Sequence, residues 1–281
     1  MAYKIHRTIS SAVATILLLT AIVGFPFKRA NALTFVTDFD PVGIYAGINT
    51  VAMSSFDVTP YGISAGQRNT VISSIMTELR NDYLNIVAPA SIASGMQLAI
   101  NFVEGTIGDG GATANGDTDY YYMAVGKAND ASQPLGEAFT LLLSVGSVLG
   151  DVYTDEIFSS VFNGLGTPGD LSQITHVING TLAHEVAHPL GLDHCAVAGS
   201  VTPNGLNPIM PTGAIDLPNA ARLVDREFAT SCVNGGTTQN SVQTLATNVG
   251  LEDSPEIPEP ASILLLGIGL AGVRLMRRRA A

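Results

Sequence analysis

Residues His184–His194 read His-Glu-Val-Ala-His-Pro-Leu-Gly-Leu-Asp-His, which places three imidazoles and one carboxylate at a spacing suited to a catalytic zinc ion. On a helix, His184 and His188 are four residues apart and share a face, with Cβ atoms about 5–6 Å apart. Both rings can then reach one ion at roughly 2.0–2.1 Å. Glu185 sits one step round the helix, outside the ligand set but able to take a proton from a water on the metal. Gly191 tolerates the left-handed conformation that reverses a chain at a helix end, so His194 can return as third ligand and leave a fourth position open for water. A bare pair of histidines four apart is often only a polar helix face. The Gly191 and His194 extension is what makes the metal reading specific.

The elements that must hold this run are partly visible. Asp170 is a plausible N-cap for a helix from Leu171 through Leu190, with the histidines at its C-terminal end. Pro189 interrupts that helix: it has no N–H for the carbonyl of Glu185, and it biases His188 away from helical angles, so a local kink is expected. Val71, Ile72, Ile75, Met76 and Leu79 recur with helical period, which predicts an amphipathic helix over 64–84 backing a sheet. Thr34–Phe39, Met96–Glu104, Asp119–Gly126 and Glu137–Val145 read as strands. Ala220, Leu223, Val224 and Phe228 are spaced to pack the inner face of a closing helix over Asp216–Ser231. The fold class expected is α+β.

The motif resembles that of the metzincin zinc proteases, in which it is followed by a methionine-containing turn beneath the metal. Here Asn207-Pro208-Ile209-Met210-Pro211-Thr212-Gly213 follows, and Met210, sixteen residues after His194, looks like that turn's methionine. The resemblance implies a zincin-like fold: a mixed, twisted sheet with a backing helix above the cleft, an active-site helix, and an irregular C-terminal subdomain. It also implies zinc on His184, His188 and His194 with Glu185 as general base. Specific similarity is confined to about 184–213. Thr212 stands where some metzincins carry a tyrosine that stabilises the oxyanion, so that role has no obvious holder.

Two cysteines, Cys195 and Cys232, lie in this region. A disulfide between them would enclose the Met210 turn and contribute roughly 3–4 kcal/mol in the chain-entropy model; the rival readings are a Cys195 thiolate on the metal and two free thiols. The loop Asp109–Asp119 has carboxylates and glycines that could hold Ca²⁺, although it lacks the EF-hand spacing and a solvated turn is the plainer reading. His176 reads as a surface histidine rather than a ligand.

The two ends of the chain address it. Residues 1–32 have Lys4, His6 and Arg7, an apolar run from Ile9 to Phe27, and Ala30-Asn31-Ala32 as a cleavage site, the pattern of a signal peptide. The run is long and Lys28-Arg29 precede the cut, so an uncleaved anchor is the rival reading. At the other end, Pro258-Glu259-Pro260, the apolar stretch Ala261–Val273 and Arg274, Arg277, Arg278 and Arg279 resemble the PEP-CTERM sorting signal of Gram-negative bacteria. That resemblance implies processing of 258–281 by an exosortase-type membrane enzyme. Thirteen residues span about 20 Å as a helix, short of a roughly 30 Å hydrocarbon core, which suits a transient membrane contact.

Between Leu33 and Ile257 there are five Lys and Arg against 23 Asp and Glu. So acidic a surface argues against nucleic-acid binding and agrees with export. Residues 33–232 are long enough for one domain with a sizeable core, and 233–257, polar and without evident period, reads as a flexible linker. Two functions follow as expectations. The first is a secreted or cell-surface zinc endopeptidase acting on protein or peptide substrates. The alternative is a non-catalytic surface or extracellular-matrix binding protein on a zincin-like fold. Glu185 favours the enzyme, because a purely structural metal site needs no base.

Overall fold

The computed structural model describes residues 32–41, 43–46, 50–86, 96–108, 119–128, 133–142, 144–162, 170–212, 217–234 and 236–253. The expected signal peptide, all but the last residue of the Asp109–Asp119 loop and the tail 258–281 therefore lie outside the described residues, Ala32 excepted.

Residues rich in β-branched and aromatic side chains build a seven-stranded mixed sheet. Its strands are β1 (Leu33–Asp38), β2 (Gly43–Ala46), β3 (Thr50–Ser55), then, after a short strand β4 (Met96–Leu98) outside it, β5 (Ile100–Glu104), β6 (Tyr120–Ala128), β7 (Gly136–Ala138) and β8 (Val148–Tyr153). β1 runs parallel to both β5 and β6, and β6 parallel to β8. Such strands are buried on both faces, which explains why Tyr121 through Gly126 of β6 are all buried. Ala124 pairs with Asp38 on one side and Asp151 on the other, and Gly126 pairs with Ser55 and Tyr153. One edge of β6 is thus shared between β1 and β3, while β8 takes the other. β7 closes the sheet as an antiparallel strand on β8.

Two helices pack against this sheet. The backing helix, Arg68–Leu84, buries Val71, Ile72, Ile75, Met76, Leu79 and Tyr83, a stripe of helical period. It is preceded by a 3-10 turn at Ala65–Gln67. The central helix, Leu171–Ala187, is capped by Asp170, whose Oδ1 accepts from the Ser172 N–H at 2.9 Å. From Val177 to Ala187 it is buried without interruption. Tyr83 joins the layers: its ring lies 5.0 Å from Phe102 of β5 and 4.9 Å from Phe228, and its hydroxyl donates to the Ala183 carbonyl at 2.8 Å.

Below the central helix the chain makes small sheets. β9 (Ala196–Val201) pairs with β12 (Ser231–Asn234), which pairs with β13 (Thr237–Gln239); β10 (Asn207–Pro208) runs parallel to β11 (Arg226–Glu227). A closing helix, Ser241–Val249, and β14 (Leu251–Asp253) follow, with β14 antiparallel to β4.

Four expectations need correction. The strand expected over Met96–Glu104 is two strands, because Ala99 leaves the main sheet: its N–H donates to Gly250 at 3.1 Å while its carbonyl accepts from Leu33. The strand expected over Glu137–Val145 is confined to Gly136–Ala138. Leu141, Leu142 and Val145 are apolar but exposed, so their composition misleads, while β8, whose pattern is broken by Gly150 and Asp151, carries the pairing. Asp216–Ser231 is not a helix beyond one turn at Asn219–Arg222. The buried positions there include Arg222 and Arg226, and Val224 faces solvent, the reverse of an amphipathic reading. Lastly, of the stretch 233–257 expected to be a flexible linker, the described residues, 233–234 and 236–253, are folded. Val242, Leu245 and Ala246 are buried at helical spacing, and Asn240 caps the closing helix by accepting from the Gln243 N–H at 2.9 Å. The folded domain therefore runs to Asp253. Leu245→Ala should cost about 2–5 kcal/mol as a core truncation, read as a lowered midpoint in thermal or denaturant unfolding; a midpoint equal to the parent's would restore the linker reading.

Candidate metal centre

The central helix stops at Ala187, one turn earlier than the sequence suggests. Pro189 cannot supply the N–H that Glu185 would need, and the chain turns instead: Gly191 N–H donates to His188 O at 2.9 Å and Leu192 N–H to Ala187 O at 3.1 Å. His188 nevertheless keeps helical angles, φ −61° and ψ −53°, so the expected departure at that residue does not occur. Gly191 has φ +89°, the left-handed turn that returns the chain toward His194.

The result is that three ring nitrogens meet. The Nε2 atoms of His184 and His188 are 3.1 Å apart, those of His188 and His194 3.2 Å, and those of His194 and His184 3.1 Å. His184 Nδ1 lies 2.9 Å from the Ile209 carbonyl, and His188 Nδ1 lies 2.9 Å from the Leu192 carbonyl. A carbonyl oxygen can only accept, so each of these Nδ1 atoms carries the hydrogen and each Nε2 presents its lone pair. Burial pushes the His184 pKa well down, helped by repulsion from His188, and burial also lowers that of His188. Neutral imidazoles with lone pairs converging on one point repel one another unless a cation sits between them. Tetrahedral zinc at roughly 2.0–2.1 Å from each nitrogen separates its ligands by about 3.3–3.4 Å. The observed triangle is close to that, and the donor set fits zinc.

The Met210 turn acts on this triangle through its main chain. Ile209 fixes the His184 tautomer, and the Met210 carbonyl accepts from the Cys195 N–H at 2.9 Å, next to His194. Met210 itself is buried. Cys195 and Cys232 form a disulfide with Cα atoms 5.3 Å apart, tying the segment after His194 to β12. With its sulfur in that bond, Cys195 has no thiolate for the metal, which removes the two rival readings of the cysteines.

Glu185 is buried beside the triangle and faces residues that carry no sequence signature. A Cβ built on Gly136 of β7 would lie 2.8 Å from Glu185 Cγ and 2.9 Å from Oε1, so only glycine lets the strand backbone approach the carboxylate. Glu137 Oε1 accepts from the Tyr153 hydroxyl at 2.6 Å, and Asp151 Oδ2 is 3.3 Å from the same hydroxyl. Burial, then repulsion from Glu137 and Asp151, raises the Glu185 pKa to about 8. Burial and Glu137 raise that of Asp151 to about 7. A cation at the three imidazoles would pull the Glu185 value back down.

Residues from the stretch expected to be a linker hold the ligand loop. Asn248 Nδ2 donates to Leu190 O at 2.8 Å, Gln239 Nε2 donates to Gly191 O at 3.1 Å, and the Asp193 N–H donates to Gln239 Oε1 at 3.1 Å. A Cβ on Gly191 would lie 2.5 Å from Asn248 Nδ2. The only signal that could have found them is the i, i+3, i+4 spacing of Val242, Leu245 and Ala246, which marks this stretch as folded. Second-sphere hydrogen bonds of this kind govern metal affinity by about 10- to 100-fold. Asn248→Ala and Gln239→Ala should each weaken zinc binding on that scale in a competition titration with a chelator, and unchanged affinity in both would show that the loop is held without them.

Residues 256–280 match the PEP-CTERM protein-sorting motif. Curated protein sequences give no match to this chain. Among solved structures, the chain is similar to the GM1-bound form of the ECX AB5 holotoxin at 14% identity and a TM-score of 0.34, over 86% of this chain and 89% of that one. It is also similar to a zinc-dependent peptidase from Methanocorpusculum labreanum at 16% identity and a TM-score of 0.28, over 69% of this chain and 93% of that one. Among the described residues no helix is long and apolar enough to cross a membrane. The motif at 256–280 makes this an exported protein with a C-terminal anchoring signal of the kind recognised by an exosortase-type sorting enzyme.

Proposed function

We propose that this protein is a zinc-dependent endopeptidase of metzincin type, delivered to the cell surface or beyond it. The observation that carries the reading is the triangle of three Nε2 atoms, 3.1–3.2 Å on a side, with the buried carboxylate of Glu185 one residue from His184. His184, His188 and His194 would hold the zinc. When bound there, zinc supplies Lewis acidity, polarising a carbonyl and lowering the pKa of water.

The chain's own residues do the rest. Glu185 takes the proton of the attacking water on its carboxylate and returns it to the leaving amine. Its enclosure by Gly136, Glu137 and Asp151 keeps the proton from bulk solvent between the two transfers. β7 favours a peptide as substrate: it pairs with β8 on one side, no strand among the described residues occupies its other edge, and its first residue lies against Glu185. An extended peptide adding to that edge would lay its backbone beside the base.

Glu185→Gln should keep the metal and the fold yet lower hydrolysis of casein or a peptide library by roughly 10²–10⁴-fold. His194→Ala should lose the metal from the triangle. Parent protein that binds zinc but shows no chelator-sensitive hydrolysis across a broad peptide library would move the function to the non-catalytic binding protein.

A further inference from the structure

Two turns before His184, the central helix carries a second group of ligand-type side chains. His176 Nδ1 lies 2.8 Å from Glu78 Oε1 on the backing helix. Asp225, just before β11, completes a set in which one ligand atom from each of the three residues lies within 4.8 Å of the others. His176 and Glu78 are only partly exposed, with side-chain exposures of 25% and 15%. His176 is therefore half-buried and paired with Glu78 rather than freely exposed.

The surroundings are rich in carboxyl groups. Asn179, 1% exposed, donates from Nδ2 to Asp82 Oδ2 at 2.7 Å and also reaches Glu78, while its Oδ1 is buried with no hydrogen-bond partner. That amide sits one helical turn after His176 and against two carboxyl groups of the cluster. Arg226 is the buried cation here. Its guanidinium is pressed onto Gly180, where no Cβ could fit, and its Nε and Nη2 have no partner. Glu78, Asp82 and Asp225 bring three carboxyl groups close to that one buried guanidinium. A cleft of about 190 Å³ lined in part by Asp82, Asp225 and Arg226 opens beside Asp225. Burial raises the pKa of Glu78, against the pull of His176, and that of Asp82 to about 8, against the pull of Asn179 and Arg226.

We propose that Glu78, His176 and Asp225 form a second divalent-cation site, which joins the backing helix, the central helix and the segment after the Met210 turn. One imidazole with carboxylates selects a borderline transition ion such as zinc over calcium or magnesium. The role is structural, because no residue of this site lies among those around Glu185.

The test is elemental analysis of the exported protein after equilibration with zinc and removal of loose metal, in the parent and in the His176→Ala, Glu78→Gln and His194→Ala variants. The expected result is two zinc ions per chain in the parent and one in each variant, with the thermal midpoint of the parent raised by zinc more than that of Glu78→Gln. Glu78→Gln keeps the side-chain length, so it reports on the site if His176→Ala fails to fold. A parent holding one zinc that His176→Ala and Glu78→Gln retain and His194→Ala loses overturns the second site and leaves the proposed function standing. A parent holding one zinc that survives His194→Ala and is lost in Glu78→Gln supports the second site and overturns the proposed function.

Discussion

Three imidazole nitrogens are held within 3.2 Å of one another, and much of the domain is arranged to keep them there. The central helix supplies two of them at a spacing its own hydrogen bonds enforce. The third depends on a reversal that the helix cannot make by itself: Pro189 ends the hydrogen-bond ladder, Gly191 takes the left-handed turn, and Asn248 and Gln239 fasten the loop from outside. Ile209 and Leu192 set two tautomers with their carbonyls. The disulfide Cys195–Cys232 fixes the chain just beyond the last histidine. Removing any one of these loosens a triangle that binding a cation would tighten.

The meeting of the three imidazoles was legible in the sequence because His184, His188, Gly191 and His194 stand within eleven residues at a spacing that a helix and one reversal bring together. The two long helices were legible for a related reason: a stripe such as Val71, Ile72, Ile75, Met76 and Leu79 follows the helical period, and Asp170 caps as its side chain allows. What surrounds Glu185 was not. Gly136, Glu137, Asp151 and Tyr153 come from two strands paired antiparallel, and their contacts with the carboxylate arise only when β7 and β8 are in register. Periodicity cannot report such a contact.

The errors share a physical cause. Leu141, Leu142 and Val145 are apolar without being buried, and Arg222 and Arg226 are charged without being exposed. Burial follows from what a residue packs against, and in this protein the second half of the domain is built from short strands whose partners are distant in sequence: β4 with β14, β9 with β12, β10 with β11. The polar composition of 233–253 suggested a tether, yet that stretch buttresses the ligand loop and ends beside β4. The sorting segment at 256–280 therefore begins almost immediately after the last folded strand.

The claim on which the account rests is that the three imidazoles share one ion through Nε2. The most direct measurement is zinc K-edge X-ray absorption on the exported protein carrying Glu78→Gln and loaded with one equivalent of zinc. The expected result is a first shell of nitrogen and oxygen scatterers only, three of them imidazoles at roughly 2.0–2.1 Å with the outer-ring scattering of histidine. A shell containing sulfur, or one with a single imidazole among oxygens, would contradict it.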